Sequence, residues 1–196
     1  MLSEEHAMPT PALEPVEITA GALHLRPWQA ADADAVFAVC QDPEIQRWTR
    51  VPVPYRREDA AGFVGPLTQL AWATGTGAHL AVVDATTGGL LAAVALADLR
   101  DADGLPGTAP GGDAEIGYWC APAARGRGVT ADATRALCRW GFGALGLARI
   151  RWMALAGNDA SRGVARRAGF AIHPDSRPLP NPRGGIADHW TGLLRP

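Results

Sequence analysis

Apolar and polar residues alternate along several short stretches of the chain, which are bounded by glycine, proline or acidic turn residues. Alternation with a period of two is typical of a strand that is buried on one face. The pattern predicts strands over residues 21–28, 78–84, 90–99, 114–120, 149–156 and 186–194, and a further strand that starts at Phe170. The segments 101–113 and 174–185 are rich in glycine and proline, and we interpret them as loops.

Other stretches repeat their apolar residues every three or four positions, as an amphipathic helix does. The clearest helix is predicted over residues 127–144, with its apolar stripe formed by Val129, Ala133, Ala136, Leu137 and Trp140. Two shorter helices are predicted over residues 30–41 and 42–48. Asp42 is expected to cap the second of these, because the proline that follows it suits the first helical position.

Two further helices carry local signals of their own. The helix over residues 57–74 contains Gly65-Pro66, which predicts a kink or a break. Its inward residues are expected to be Phe63, Leu67, Leu70 and Ala71. The other helix starts at Asn158 or Asp159, since either residue can cap a helix start, and it ends at Gly169, because a glycine favours helix ends. Its inward residues are expected to be Ala160, Val164, Ala165 and Ala168.

In chain order the elements are one strand, three helical pieces, three strands, and then helix, strand, helix and two strands. This order predicts an α/β fold with a mixed sheet and helices on both faces. A chain of 196 residues fits one domain. We assign the domain to residues 21–196 and expect residues 1–20, which lack a periodic pattern, to be a mobile tail.

Composition gives no support to nucleic-acid or membrane partners. The formal net charge is −2, and 47% of the residues are hydrophobic, which is ordinary for a globular protein. We find no apolar run long enough to span a bilayer and no signal peptide. The three cysteines form no C-x-x-C pair, so a disulfide framework is not expected and a cytoplasmic location fits best.

One stretch carries candidate chemistry. Residues 125–130 read R-G-R-G-V-T between a predicted strand and the clearest helix. A glycine turn at a helix N-terminus offers backbone N–H groups to a diphosphate. The alternative is that these residues form an ordinary strand-to-helix turn with two surface arginines. The stretch is neither a Walker loop nor a dinucleotide fingerprint, because no Gly-Lys-Ser/Thr follows and Ala131 replaces the third glycine.

Together with Asn158 to Ser161 and Ala168-Gly169-Phe170, this stretch resembles the GCN5-related N-acetyltransferase (GNAT) superfamily. The family signature R/Q-x-x-G-x-G/A is matched by Arg125, Gly128 and, imperfectly, Thr130. Further motifs resemble the ribosomal-protein-alanine N-acetyltransferase subgroup; they are Leu25 to Trp28, Asp42 to Ile45 and Ile116 to Trp119. The resemblance implies a mostly antiparallel sheet with a splayed cleft, and acetyl-CoA as co-substrate.

The resemblance also implies roles for individual residues. The diphosphate would be held by Arg125, Gly126, Arg127, Gly128, Val129 and Thr130. The pantetheine would contact Tyr118, Trp119, Cys120, Asn158 and Ser161, with a backbone N–H of Trp119 or Cys120 stabilising the oxyanion. Many family members use a tyrosine as the acid seven residues after the asparagine. That position is Ala165 here, so this mechanism does not carry over.

We select Glu115 and Ser161 as the catalytic candidates. Glu115 begins the central strand beside the implied thioester site and could take a proton from an amine; an exposed charge at a strand end is the alternative. Ser161 could protonate the leaving thiolate; a first-turn serine bonded to nearby backbone is the alternative. Cys120 is interpreted as a buried strand cysteine, because the family transfers the acetyl group directly.

Histidines and tryptophans complete the candidates. No two histidines have helical ligand spacing, so no metal site is expected, and His79 and His189 are interpreted as structural. Trp48, Trp72 and Trp119 are candidates for an acceptor groove, with a place in the core as the alternative.

Two functions from different classes remain open. The first is an N-acetyltransferase that acts on a protein N-terminus or a small amine. The second is a coenzyme-A-binding module with little or no catalysis. A homodimer is a further alternative that the resemblance leaves open.

Overall fold

The computed structural model describes residues 12–108, 110–181 and 183–196. In chain order the strands are β1 Ile18–Ala20, β2 Leu23–Pro27, β3 Ala78–Asp84, β4 Leu90–Arg100, β5 Asp113–Cys120, β6 Arg149–Leu155, β7 Ala171–Ile172, β8 Arg177–Pro180 and β9 Ile186–Leu194. The α-helices are α1 Ala33–Val39, α2 Pro43–Trp48, α3 Arg57–Gly62, α4 Thr68–Ala73, α5 Val129–Ala144 and α6 Asp159–Ala168.

All of these strands belong to one sheet. Its order is β1-β2-β3-β4-β5-β6-β9-β7, and β8 pairs with β9. Neighbouring strands run antiparallel except β5 and β6, which are parallel. The prediction of a mixed, mostly antiparallel α/β sheet is therefore confirmed.

Helices cover both faces of the sheet, and each face has its own hydrophobic core. One core joins α5 and α6 to the sheet and includes Ile116, Leu137 and Trp152. The other lies under α1 to α3 and includes Val36 and Ala60. We call these the α5–α6 face and the α1–α3 face. Side chains alternate between faces along a strand, so successive residues of β5 serve different cores.

Two short strands were not predicted. β1 falls inside the expected tail, where it pairs with β2 through Ile18 and Leu25. β8 falls inside the expected loop 174–185 and pairs with β9. The tail prediction is therefore wrong at residues 18–20, and residues 1–11 lie outside the described part of the chain. Both strands are four residues or shorter, too short for a pattern of period two to identify.

The helix predicted over residues 57–74 is interrupted, as expected at Gly65-Pro66. A π-turn over Phe63–Leu67 separates α3 from α4, and Gly65 has non-helical φ and ψ of −111° and −106°. The predicted inward residues Leu67 and Leu70 are wrong, because they are 54% and 63% exposed. Trp72 is buried instead. The interruption shifts the phase of the apolar stripe, which a single helical wheel cannot follow.

The caps of α2 and α6 follow the prediction. Asp42 accepts a hydrogen bond from the backbone N–H of Ile45 at 3.0 Å, and Asn158 accepts one from Ser161 at 3.0 Å. Gly169 ends α6 with a φ of +100°, a conformation that favours glycine. In α6, Ala165 and Ala168 are buried as expected, whereas Ala160 is exposed.

Candidate active site

The sheet opens between its two central strands. β5 and β6 pair only at Asp113–Arg149, Ala114–Ile150 and Glu115–Arg151. β5 remains paired with β4 as far as Cys120, and β6 remains paired with β9 as far as Leu155. The β5 edge from Ile116 to Cys120 therefore has no strand partner in β6. Its backbone N–H and C=O groups need another partner, which is what a cleft for an extended ligand provides.

The N-terminus of α5 lies directly beyond this cleft. Gly126 and Gly128 have φ of +75° and +79°, values that favour glycine and explain both glycines of the turn. Gly128 is the cap residue, and no side chain caps the helix there. Within the described residues, no side chain accepts a hydrogen bond from the first-turn N–H groups of this 16-residue helix. The helix dipole also favours an anion at this end.

The side chains of this turn have different environments. Arg125 binds the cap residue of α2, with its Nη2 2.6 Å from Asp42 Oδ1. The hydrogen bond from Arg125 lowers the pKa of Asp42. Arg127 is exposed, whereas Val129 and Thr130 are each 6% exposed. Val129 and Thr130 can therefore reach a ligand in the cleft only through their backbone.

On the α5–α6 face, three side chains meet at the start of α6. The Tyr118 hydroxyl lies 3.0 Å from the Ser161 carbonyl oxygen and 3.1 Å from Ser161 Oγ. Trp152 Nε1 donates to the same Oγ at 3.2 Å. Burial raises the pKa of Tyr118 to about 12, so the phenol keeps its proton at neutral pH. The arrangement holds two hydroxyl groups beside the cleft.

On the α1–α3 face, Glu115 forms an ion pair at the point where the strands part. Its Oε1 lies 2.7 Å from Arg50 Nη2, and its side chain is 17% exposed. The carboxylate therefore meets the cleft with an arginine beside it. Arg50 belongs to the loop after α2, and no motif in the sequence singled out this arginine.

A network of ion pairs lies where β5 and β6 are still paired, next to Glu115. Asp113 accepts hydrogen bonds from Arg149 at 2.7 Å and from Arg151 Nε at 3.1 Å. Arg151 also binds Asp98 at 2.9 Å. Asp98 has a φ of +48° and lies in a β4 bulge, where the register with β5 shifts between Ala97 and Arg100. These contacts fix the strand pair from which Glu115 projects.

A small cavity lies on the same face, between α2, β6 and the β8–β9 hairpin. Its volume is about 70 Å³. It is lined by Trp48, Thr49, Arg50, Met153, Ala154, Leu155, Asn181, Arg183 and His189. Arg183 holds the hairpin against the end of α2, because its guanidinium donates to the carbonyls of Gln46, Thr49 and Val51.

The three candidate tryptophans and Cys120 lie in different parts of the structure. Trp72 is 5% exposed and lies 6.2 Å from Trp140, so of its two alternatives the structure shows the place in the core and not the acceptor groove. Trp48 lines the cavity. Trp119 lies 6.0 Å from Trp28 on the α1–α3 face. Cys120 is half-buried and packs against the core of the other face.

Besides Arg50, sequence reasoning missed two features. The Tyr118 hydroxyl reaches Ser161 across a separation of 43 residues, which no local spacing rule detects. His189, interpreted as structural, is buried but lines the cavity. A histidine in a strand gives no signal for this, because the cavity is formed by three separate elements.

Neither a cluster of metal ligands nor a membrane-spanning helix occurs within the described residues. No cluster of three or more potential metal ligands occurs within residues 12–108, 110–181 and 183–196. Over the same part of the chain, no helix has the length and apolar character needed to cross a membrane.

Comparison with solved structures supports the fold. A provisionally named ribosomal-protein-serine acetyltransferase from Vibrio cholerae aligns with a TM-score of 0.77 at 20% identity, covering 92% of this chain and 98% of that one. RimJ from Mycobacterium smegmatis, solved in complex with CoA-disulfide, aligns with a TM-score of 0.73 at 20% identity. That alignment covers 93% of this chain and 86% of RimJ.

Comparison of sequences adds a family. YdaF of Bacillus subtilis, provisionally named a ribosomal N-acetyltransferase, is 44% identical over 57 residues. The matched stretch covers 29% of this chain and 31% of YdaF. The family model described as "Acetyltransferase (GNAT) domain" matches residues 22–171. Since that match spans more than half of the chain, this protein belongs to the GNAT acetyltransferase family.

Proposed function

We propose that this protein transfers the acetyl group of acetyl-CoA directly to a primary amine, and that the acceptor is the N-terminal amine of a protein. The observation that carries the proposal is the cleft between β5 and β6, which begins beyond Glu115 and leads to the uncapped N-terminus of α5. An extended chain that ends in a diphosphate fits an open strand edge followed by a helix N-terminus.

The residues along the cleft match the successive parts of acetyl-CoA. The backbone N–H groups from Gly126 to Thr130 hold the diphosphate. The edge of β5 at Tyr118, Trp119 and Cys120 binds the pantetheine, and a backbone N–H there stabilises the oxyanion. Asn158 and Ser161 contact the cofactor from the other side of the cleft. The Arg125 side chain acts indirectly, because its ion pair with Asp42 joins the diphosphate turn to α2.

The two faces of the sheet would supply the two proton transfers. Ser161 and Tyr118 lie on the α5–α6 face, where a hydroxyl can protonate the leaving thiolate. Glu115 lies on the α1–α3 face, where its carboxylate attracts the ammonium form of the acceptor and takes its proton through water. The ion pair with Arg50 holds that carboxylate in place beside the cleft.

The size of the cavity favours a protein terminus as the acceptor. Drug-sized ligands occupy pockets of roughly 300–1,000 Å³, whereas this cavity measures about 70 Å³. It accommodates one small side chain, with the rest of a peptide outside. YdaF and the Vibrio cholerae protein are both provisionally named for action on ribosomal proteins. We place the reaction in the cytoplasm, because the three cysteines are free thiols.

Turnover tests this proposal. Acetyl-CoA is mixed with peptides that begin with residues of different size and with small amines, and thiol release is followed. We expect release with peptides that begin with a small residue. Tight acetyl-CoA binding by calorimetry without thiol release from any amine would favour the alternative, a binding module without catalysis. Light scattering of the same samples tests the alternative of a homodimer.

A further inference from the structure

We propose that His189 contacts the acceptor amine and is the first group to take its proton. The inference rests on the proposed function and adds a catalytic residue to it. Under this assignment Glu115 acts at a distance, through its charge and through water.

Strand register brings His189 level with the implied thioester site. On β9, His189 pairs with Leu155 of β6. β5 and β6 pair Glu115 with Arg151 before they part, and the same alignment continued by four residues brings Trp119 level with Leu155. The backbone of Trp119 is the proposed oxyanion site, so His189 lies across the cleft at the same height.

Along the cleft, Glu115 lies further than His189 from the level of Trp119. Four residues of strand separate Glu115 from Trp119 along β5, which is about 13 Å at ~3.3 Å per residue. The carboxylate is also held by Arg50 at 2.7 Å. A direct contact with an amine at the level of Trp119 is therefore better made by a side chain from β9.

The hydrogen bonding of the imidazole suits a proton acceptor. Nδ1 lies 2.7 Å from the carbonyl oxygen of Ala187, and a carbonyl only accepts, so Nδ1 carries the hydrogen. In neutral imidazole this leaves the lone pair on Nε2. Within the described residues, no protein group forms a hydrogen bond with Nε2. The ring lines the cavity, so Nε2 is available to an acceptor there.

The charged groups around the imidazole come from the loop after α2, from β8 and from the β8–β9 hairpin, and not from β6. The loop after α2 supplies Arg50, the β8–β9 hairpin supplies Arg183, and β8 supplies Arg177, which pairs with His189 in register. The β6 residues that line the cavity are Met153, Ala154 and Leu155, which carry no charge. Glu115 is the acidic group that the α1–α3 face presents at the start of the cleft.

The proton balance of the reaction is closed with this assignment. Nε2 takes one proton from the ammonium group, and the nitrogen lone pair then attacks the thioester carbon. A C–N bond forms and the C–S bond breaks. The thiolate takes a proton from the Tyr118–Ser161 pair, which regains one from the acetylated nitrogen through water. The imidazolium finally passes its proton through water to Glu115, which releases it to solvent.

The experiment compares the wild-type protein with His189→Gln, with His173→Gln as a matched control on an exposed loop. Thiol release is measured from pH 5.5 to 9 with acetyl-CoA and alanine- and serine-initiated peptides. We expect His189→Gln to lower kcat by roughly 10²-fold, the usual scale of general base catalysis. We also expect it to lose the acid limb of the pH profile and to regain rate with added imidazole. Acetyl-CoA affinity is expected to match that of His173→Gln, and a Tm above the assay temperature shows that His189→Gln remains folded despite the loss of the Nδ1 hydrogen bond.

Each other outcome has a distinct meaning. A raised KM for the peptide with unchanged kcat and an unchanged pH profile would overturn the catalytic assignment. A variant that keeps full activity would overturn it too, while leaving the proposed function intact. A wild-type protein that releases no thiol with any amine would overturn the proposed function and the role of His189 together.

Discussion

The Tyr118 hydroxyl and Ser161 Oγ lie 3.1 Å apart, although the two residues come from different elements on either side of the cleft. Tyr118→Phe removes one hydroxyl while keeping the ring that packs against the core. Because burial keeps the phenol protonated, with a pKa of about 12, we expect kcat to fall by roughly 10²-fold if this group donates the proton. Steady-state thiol release measures the loss.

Two further variants show whether a loss of kcat in Tyr118→Phe comes from proton donation. Ser161→Ala is expected to have a smaller effect alone and little additional effect in the double variant, since the two hydroxyls act as a unit. Tyr55→Phe, at the other tyrosine of the chain, is expected to leave kcat unchanged. Equal losses from Tyr118→Phe and Tyr55→Phe would indicate a general effect on folding rather than proton donation.

Gly128 is expected to control both stability and cofactor affinity. Its φ of +79° means that Gly128→Ala costs roughly 1–2 kcal/mol of strain. For a chain of this size that lowers Tm by about 2–4 °C per kcal/mol. A shifted turn would also weaken coenzyme A binding, which calorimetry measures.

Gly143 provides the matched control for Gly128. It lies within α5, is exposed and has open space where a methyl group would project. Gly143→Ala is expected to raise stability by about 0.5–1 kcal/mol, because alanine favours helix. If both variants bind coenzyme A like the wild type, the turn is not the diphosphate site.

His79 is expected to make the fold sensitive to mild acid. Burial lowers its pKa from 6.5 to about 4, so between these values the unfolded chain binds a proton that the folded protein does not. Stability therefore falls as pH drops from about 6.5 towards 4, by up to about 3 kcal/mol. Urea unfolding at several pH values measures the slope.

The dependence of the unfolding free energy on pH is compared between His79→Gln and His173→Gln. The first variant lacks the buried titrating group and is expected to show a flatter dependence over that interval. The second lacks an exposed histidine and is expected to keep the wild-type slope. A wild-type slope in His79→Gln would assign the acid sensitivity to other groups.

Arg183 is expected to act on the acceptor rather than on acetyl-CoA. Its guanidinium joins the β8–β9 hairpin to three backbone carbonyls at the end of α2. Arg183→Lys keeps the charge but loses the planar fork, so we expect a several-fold higher KM for the peptide acceptor. The KM for acetyl-CoA should stay constant.

Arg139→Lys serves as the control for Arg183, because Arg139 is exposed on α5 away from the hairpin. It is expected to change neither KM. A parallel rise of both KM values in Arg183→Lys would show that the hairpin affects the whole cleft.

The sequence predicted those parts of the fold that depend on local signals. α6 has a capping asparagine at one end and a glycine at the other, and each acts on helix residues that are only a few positions away. The orientation of Leu67 and Leu70 was wrong because the π-turn at Gly65-Pro66 changes the phase of the helix. β1 and β8 were missed because their pairing partners, rather than their own short patterns, stabilise them.

The candidate site was predictable only where it forms one continuous stretch. The diphosphate turn is such a stretch, and its two glycines have the backbone angles that the pattern requires. Arg50 and His189 enter from a loop and a hairpin that are remote in sequence. The place of His189 depends on strand register and the place of Arg50 on the packing of its loop, and one sequence without its fold reveals neither.

The three residue pairs between β5 and β6 have a mechanical consequence. In the part of the chain that the structure describes, no other strand pairing joins strands β1 to β5 to the remaining strands. Asp113 reinforces this narrow seam by binding Arg149 and Arg151, and it is only 8% exposed. For geometric reasons, any rotation between the two parts of the sheet at this seam changes the cleft width most at Cys120 and Leu155, which lie furthest from it along β5 and β6.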